Sequence, residues 1–195
     1  MTVKAIPDGY HTATPYLVMD GAARAIEFYK SAFGATEVMR FPGPGGMVMH
    51  AEIKIGDSFI MLADEQPAMN IRGPKAFGGT PVGIMLYVEN VDAMFHQAVA
   101  AGAKVERPLA DQFYGDRSAT IVDPFGHKWT ISTHKEDVPP DEMMRRFDEM
   151  MKSMPPPPPP PAAKPAAKKP KKSAPKPKAK AKAKAAKKPV KKKRR

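Results

Sequence analysis

Three polar side chains around residue 50 alternate with apolar ones and could carry acid–base chemistry. His50, Glu52 and Lys54 occupy every second position of a run in which they alternate with apolar residues such as Ile53 and Ile55. In a strand, side chains two positions apart share a face and lie about 7 Å from each other. His50 could therefore act as a general base, with Glu52 orienting the imidazole or competing for its proton. The alternative is a solvated face at the mouth of a cleft, so the pair is only a catalytic candidate.

Tyr114 and Arg117 form a second candidate pair, at the entry to a predicted strand. A guanidinium can fork onto a carboxylate, phosphate or phosphonate, which would make the unknown small-molecule ligand anionic. An ion pair from Arg117 to Asp111 or Asp116 is the equally good alternative.

The pattern of helices and strands that would position these residues occurs twice in the first 134 residues. An amphipathic helical stripe precedes Gly34-Ala35, a similar one precedes Gly102-Ala103 68 positions later, and strand candidates follow each. Each copy closes with a strand–turn–strand pattern. The repetition predicts an α+β fold of two βαβββ repeats, whose open curved sheet surrounds a cleft of the kind that binds small molecules. Asp20 is expected to cap the first helix, and Gly34 to end it.

Changes in composition divide the chain into five segments. They are a loose leader (1–11), a folded domain (12–137, with half one at 12–64, a connector at 65–81 and half two at 82–137), an amphipathic helix (138–154), a polyproline spacer (155–161) and a disordered polybasic tail (162–195). Methionines line one stripe of the predicted helix, which would pack on its own domain or, alternatively, form the contact of a homodimer. The prolines would make a stiff polyproline II spacer of roughly 20 Å.

Composition excludes several classes of protein. The 195 residues include no cysteine, which excludes disulfides, thiolate nucleophiles and cysteine-based metal sites. No apolar run approaches the length of a membrane span, and the first residues lack the pattern of a signal peptide, so a cytoplasmic protein is expected. Charge is divided sharply: residues 155–195 hold 17 of the 32 basic residues and none of the 20 acidic ones, which leaves residues 1–154 at about −5.

The basic tail is predicted to bind DNA or RNA without reading the base sequence. A polycation gains affinity by releasing counterions from phosphates, whereas no aromatic side chain is present here to stack on bases. The candidate contacts are Lys168, Lys169, Lys171, Lys172, Lys187, Lys188, Lys191, Lys192, Lys193, Arg194 and Arg195. The tail resembles those of linker histones and bacterial histone-like proteins, which would associate the protein with the nucleoid. A solubilising role, or binding to anionic lipid or polyphosphate, is the alternative.

The body resembles the vicinal oxygen chelate superfamily, which includes glyoxalase I, extradiol dioxygenases and the bleomycin- and fosfomycin-resistance proteins, and within it the PhnB-like branch. The resemblance covers about residues 10–137. Its segments are Thr14-Pro15-Tyr16-Leu17, Ala25-Ile26-Glu27-Phe28-Tyr29, His50-Ala51-Glu52, Tyr114-Gly115-Asp116-Arg117 and Asp123-Pro124-Phe125-Gly126-His127. It implies the glyoxalase-like fold and leaves the reaction open, because such folds host many functions.

The resemblance also implies where a metal would bind in metal-dependent members, at His or Glu residues on the first and last strands of each half. The matching positions here are Thr14, Met61, Gly83 and Thr130, none of which is a usual ligand for a divalent ion. No cofactor is therefore predicted, and a divalent metal is disfavoured. The predicted ligand-binding residues are Thr14, Met61, Tyr114, Arg117 and Thr130.

The sequence thus predicts a small-molecule-binding protein of PhnB-like type with a nucleic-acid-binding tail, and leaves open whether the ligand is turned over. Two alternatives stay open. One is a metal-dependent enzyme of the glyoxalase or dioxygenase type. The other is a nucleoid-associated protein whose body is mainly a dimerisation unit.

Overall fold

The computed structural model describes residues 3–155. The predicted polyproline spacer beyond Pro155 and the polybasic tail, with its candidate nucleic-acid contacts, lie outside the described residues. The described elements are β1 (Tyr16–Met19), α1 (Ala22–Phe33), β2 (Thr36–Pro42), β3 (Val48–Ile55), β4 (Ser58–Asp64), β5 (Gly83–Tyr87), α2 (Val91–Ala100), β6 (Lys104–Asp111), β7 (Asp116–Val122), β8 (Lys128–His134) and α3 (Pro140–Ser153). None of the helices in this range is both long and apolar enough to cross a membrane.

The strands form two four-stranded sheets of the same topology. Their orders are β1-β4-β3-β2 and β5-β8-β7-β6, and in each sheet the first pair is parallel and the others are antiparallel. The predicted α+β fold of two βαβββ repeats is confirmed. Residues 104–111 form the edge strand β6 of the second sheet.

Helix α1 joins the two halves through its apolar stripe. Ala25, Ile26, Tyr29 and Phe33 are buried, as helical spacing predicts. The rings of Tyr29 and Phe33 lie 5.3 and 4.9 Å, centroid to centroid, from the ring of Trp129 on β8. One face of each sheet is therefore covered by helices, and the other face is open.

The cap of α1 differs from the prediction. Asp20 does not cap the helix; Asp64, at the end of β4, accepts hydrogen bonds from the backbone N–H groups of Gly21 and Ala22, both at 2.8 Å, and from Val48 N at 2.7 Å. The helix start is thus fixed by the last strand of its own half. Gly34 does end the helix, in the left-handed conformation with φ of 66° that glycine adopts without strain.

Replacing Asp64 with Ala should lower the free energy of unfolding by about 2–4 kcal/mol, because three backbone N–H groups lose their buried acceptor. Asp20→Ala is the matched control and should leave stability nearly unchanged. Chemical denaturation of both variants measures the difference. Equal losses would show that Asp20 contributes to the cap after all.

Helix α3 lies against the body at a few points and keeps much of its methionine stripe exposed. Phe147 contacts Phe113 at a centroid distance of 5.5 Å, and Arg146 forms a bidentate pair with Glu136 at 2.8 Å. No residue of the helix is buried, and Met151 is half exposed. Of the two expectations for this helix, the structure shows these contacts with its own domain, and the homodimer contact stays a prediction.

Candidate functional site

The open face of the first sheet carries a chain of four hydrogen-bonded polar side chains. Tyr16 Oη lies 3.0 Å from His50 Nδ1, and His50 Nε2 lies 3.3 Å from Glu52 Oε1. The hydroxyl of Tyr10 donates to the other carboxylate oxygen of Glu52. The alternation of β3 explains the placement, since Ala51, Ile53 and Ile55 are buried on the helix side. His50 and Glu52 are therefore adjacent, as predicted.

Apolar and aromatic side chains surround this network. Met61 faces Glu52 across the β3–β4 pair and Tyr16 across the β1–β4 pair. The ring of Tyr10 stacks on Phe59 at 4.3 Å, so that the leader lies over the sheet. A cavity of about 570 Å³ is lined by these elements; its lining residues include Tyr10, Thr14, Glu52 and Met61. Two predicted ligand-binding residues and one catalytic candidate thus share a cavity.

Burial makes Glu52 the most unusual group on this face. Its residue is 6% exposed, its two oxygens contact the phenol of Tyr10 and the imidazole of His50, and no Lys or Arg side chain among residues 3–155 pairs with it. The hydrogen bond to Glu52 raises the pKa of Tyr10, because the bond would be lost on ionisation of the phenol. A ligand that offers an N–H or O–H group could replace Tyr10 as the donor to Glu52.

The open face of the second sheet carries a separate network, centred on buried Asp116. Its carboxylate accepts from Tyr87 Oη at 3.0 Å and from Ser132 Oγ at 2.8 Å, and lies 2.8 Å from His134 Nδ1. The other ring nitrogen of His134 lies 3.0 Å from Asp137. Burial would raise the pKa of Asp116, but the hydrogen bonds from His134, Ser132 and Tyr87 outweigh it and lower this pKa. The two carboxylates raise the pKa of His134.

Thr130 and Tyr114 lie together on this second face. They line a cavity of about 200 Å³ with Met85 and Arg107, and Thr130 Oγ1 is 3.2 Å from Thr120 Oγ1. Arg107 is exposed, and among the described residues its guanidinium has no ion-pair partner. The predicted ligand-binding residues therefore divide between two faces, and Arg107, which the sequence argument did not identify, adds a cationic side chain to the second face.

Arg117 points to the opposite side of β7. Its guanidinium forms a bidentate pair with Asp92 of α2, at 2.8 and 2.9 Å, and contacts Asp111 at 3.2 Å. These hydrogen bonds raise the pKa of Arg117 and lower that of Asp92. The structure does not bring Arg117 together with Tyr114 and Thr130, and its charge is already compensated by two carboxylates.

The four positions that correspond to metal ligands do not form a donor set for a divalent ion. Gly83 offers no side chain, Met61 offers a soft thioether, and the hydroxyl of Thr130 is engaged with Thr120. Among residues 3–155, no three His, Asp or Glu side chains gather as metal ligands. These residues do not fit a divalent metal at this place.

Sequence reasoning missed Tyr10 and the Asp116 network for different reasons. Tyr10 precedes every strand and helix, so no periodicity marks it. His134 shares the parity of Thr130 and Ser132 on β8, and that alternation could have placed it on the open face beside Asp116.

Comparisons with known proteins agree with this architecture. The sequence model of a family described as the Glyoxalase/Bleomycin resistance protein/Dioxygenase superfamily matches residues 11–131. An uncharacterized protein of Mycobacterium bovis is 45% identical over 133 residues, which cover 67% of this chain and 88% of that protein.

Solved structures extend the likeness. The crystal structure of TioX from Micromonospora sp. ML1 superposes with a TM-score of 0.51 at 25% identity, covering 66% of this chain and all of that one. A PhnB protein from Bacillus cereus superposes with a TM-score of 0.50 at 21% identity, covering 63% of this chain and 99% of that one. At this level of identity, the superposition on the PhnB protein shows a shared fold and nothing further.

Proposed function

Because this chain belongs to the Glyoxalase/Bleomycin resistance protein/Dioxygenase superfamily, we propose that it binds a small organic molecule on the open face of its first sheet, as a PhnB-like member without a catalytic metal. The observation that supports this most directly is the buried Glu52 carboxylate beside Met61 at a cavity of about 570 Å³. Pockets of this size, apolar with a few convergent polar groups, are typical ligand sites.

The side chains on this open face indicate which chemical groups the ligand would carry. Glu52 requires a hydrogen-bond donor, and a ligand hydroxyl, amide or ammonium group would take the place of Tyr10. Met61 and Phe59 favour an apolar or aromatic body next to that donor. His50 lies between Tyr16 and Glu52, so the same contacts would suit proton transfer if the ligand is turned over.

A homodimer is part of the proposal, because both open faces leave large apolar side chains uncovered. Tyr16 and Phe41 on the first sheet are 51% and 57% exposed, and Tyr87 on the second is 64% exposed. Exposed apolar patches of this kind mark interaction surfaces.

Glu52→Gln should weaken ligand retention while the fold stays intact, because Gln keeps the shape but replaces one acceptor oxygen with an N–H donor. Native mass spectrometry of freshly purified protein, with metal analysis, measures the bound mass, the metal and the oligomeric state together. The control is Glu27→Gln, which alters an exposed ion pair with Lys30 and should change nothing. A stoichiometric metal, or equal retention in Glu52→Gln, would contradict the proposal.

We also propose that the tail binds nucleic acid without sequence preference. The observation that favours it is the concentration of 17 basic and no acidic residues in the last 41 positions. The phosphate backbone attracts such a segment, whereas the net charge of residues 1–154 opposes binding. Binding to nucleic acid through the positive charge of the tail would also place the protein at the nucleoid.

A further inference from the structure

Helix α3 keeps an apolar stripe exposed along its length. The stripe consists of Met144, Phe147, Met151 and Met154, which follow one another at spacings of three or four residues and so share one face of the helix. Met144 and Met151 are 61% and 50% exposed. Phe147 touches Phe113 of the body and is still partly accessible. The stripe is therefore a surface that a partner could cover.

The sequence of α3 is symmetric about Phe147. Methionine matches methionine at equal distances on either side, at positions 143 and 151 and at positions 144 and 150. Each charge matches an opposite one, and the matching pairs are Arg146 with Asp148, Arg145 with Glu149, and Glu142 with Lys152. In a two-fold symmetric contact, residue i meets residue j and residue j meets residue i. An antiparallel pair of these helices therefore joins unlike charges, whereas a parallel pair would join like ones.

The exposed charges beside the stripe fit the same arrangement. At about 100° per residue, Asp141, Arg145, Asp148 and Lys152 follow the stripe on one side of the helix, and all four are exposed. Within residues 3–155, Asp141, Asp148 and Lys152 form no ion pair. In an antiparallel pair centred at Phe147, Lys152 faces Asp141 of the second copy, and Arg145 faces Asp148 of the second copy. Residues 141 and 152 lie roughly 16 Å apart along one helix, so they pair only between copies.

The balance of charge on α3 argues against a lipid surface or a nucleic acid as the partner. The helix carries four acidic and three basic residues. An anionic surface therefore gains no net attraction from it. A helix with the inverse order of charges is the better fit, and the same helix read in the opposite direction has that order.

We propose that α3 pairs with α3 of a second copy of this chain as two antiparallel helices, with the two-fold axis at Phe147. Met144 packs against Met151 of the second copy, and the flanking ion pairs fix the direction and the register. The contact uses neither Glu52 nor the open face of either sheet, so it goes beyond the proposed function and can fail independently of it. The 14-residue helix is about 21 Å long, so the contact is small and association should depend on concentration.

Sedimentation equilibrium of the 195-residue protein measures this association. At about 100 µM the unaltered protein should have at least twice the mass of one chain. Met144→Lys should halve that mass, because an ammonium group would be buried against an apolar side chain of the second copy. Met69→Lys is the matched control: Met69 is an exposed methionine of the connector, and its replacement should leave the mass unchanged.

Charge reversal tests the direction of the pair. Lys152→Glu and Asp141→Lys should each weaken association by roughly tenfold, since each creates two contacts between like charges in the symmetric pair. The double variant should recover most of the loss, because opposite charges meet again. The helix dipole would give the contrary result. Each change opposes the dipole at its own end of the helix, so a dipole effect would make the double variant weaker than either single one.

A disulfide tests the register without adding charge, because the chain contains no cysteine of its own. Met144→Cys combined with Met151→Cys should cross-link two chains under mild oxidation; within one helix the two positions are roughly 10 Å apart, too far for a disulfide. Met144→Cys alone should not cross-link. A disulfide in this single variant would show a parallel pair and refute the proposal.

Three further results would overturn the proposal. They are a single-chain mass of the unaltered protein at every concentration tested, an unchanged mass in Met144→Lys, and a double charge reversal that is weaker than both single variants.

Discussion

Raising the salt concentration from about 50 to about 200 mM should weaken binding of the 195-residue protein to duplex DNA by roughly 10³–10⁵-fold, if about 6–10 of the tail charges engage phosphates. Each neutralised phosphate releases counterions, so log K should fall linearly with log salt by about 0.9 per contact. Fluorescence anisotropy with duplexes of unrelated sequence measures the slope. The base sequence should matter little, because residues 155–195 offer no aromatic side chains and few hydrogen-bonding groups other than basic ones.

Two altered chains control this experiment. Truncation after Met154 removes 17 basic residues and leaves a net charge of about −5, which should repel DNA. Replacing Lys191, Lys192 and Lys193 with Gln should lower the slope by up to about 2.7 while keeping the length of the chain. DNA binding by the truncated chain at physiological salt would refute the assignment of binding to the tail. A salt-independent affinity of the intact protein would refute the electrostatic mechanism.

Asp123→Ala should lower the free energy of unfolding by about 3–5 kcal/mol, which corresponds to a fall in Tm of roughly 6–20 °C. The buried carboxylate accepts four hydrogen bonds of 2.8–2.9 Å, from the backbone N–H groups of Phe125 and His127, the phenol of Tyr29 and the indole of Trp129. Removing it leaves four donors without an acceptor. Calorimetry or chemical denaturation measures the loss.

Asp57→Ala is the matched control for this prediction. Asp57 also lies in a strand–turn–strand, at the equivalent turn of half one. Its side chain is exposed, accepts a hydrogen bond from Ser58 and lies 3.9 Å from His11. Its replacement should shift Tm far less. Similar shifts in the two variants would show that the turn, rather than the bond between the halves, determines the stability of the protein.

Local patterns in the sequence predicted most of the secondary structure, because helix and strand periodicity depend on neighbours in the chain. The alternation of residues 48–55 placed His50 beside Glu52, and the repeat of half one in half two identified both sheets. Trp129, which shares the parity of Ile131 on β8, is fully buried with it. These inferences need only the spacing of side chains along one element.

Contacts between distant segments could not be predicted in this way. Asp64 caps a helix that begins 42 residues earlier, and Arg117 pairs with Asp92 rather than with its nearer neighbour Asp116. Tyr10 reaches Glu52 from a leader without periodicity. Arg117 also pairs with Asp111, one of the two nearby partners that the sequence allowed, and the packing of α2 against the sheet adds the distant partner Asp92.

Helix α1 is held by two aspartates that lie far along the chain, Asp64 and Asp123, and this separation has a consequence for synthesis on the ribosome. Its cap, Asp64, follows the helix start by 42 positions, and its partner in half two, Asp123, follows Tyr29 by 94 positions. At about 5–20 residues per second, the cap is made roughly 2–8 s after the helix start, and the second anchor roughly 5–19 s after Tyr29. During that time the apolar stripe of α1 has no second sheet to pack against. We therefore expect the nascent chain to expose this stripe until half two is complete.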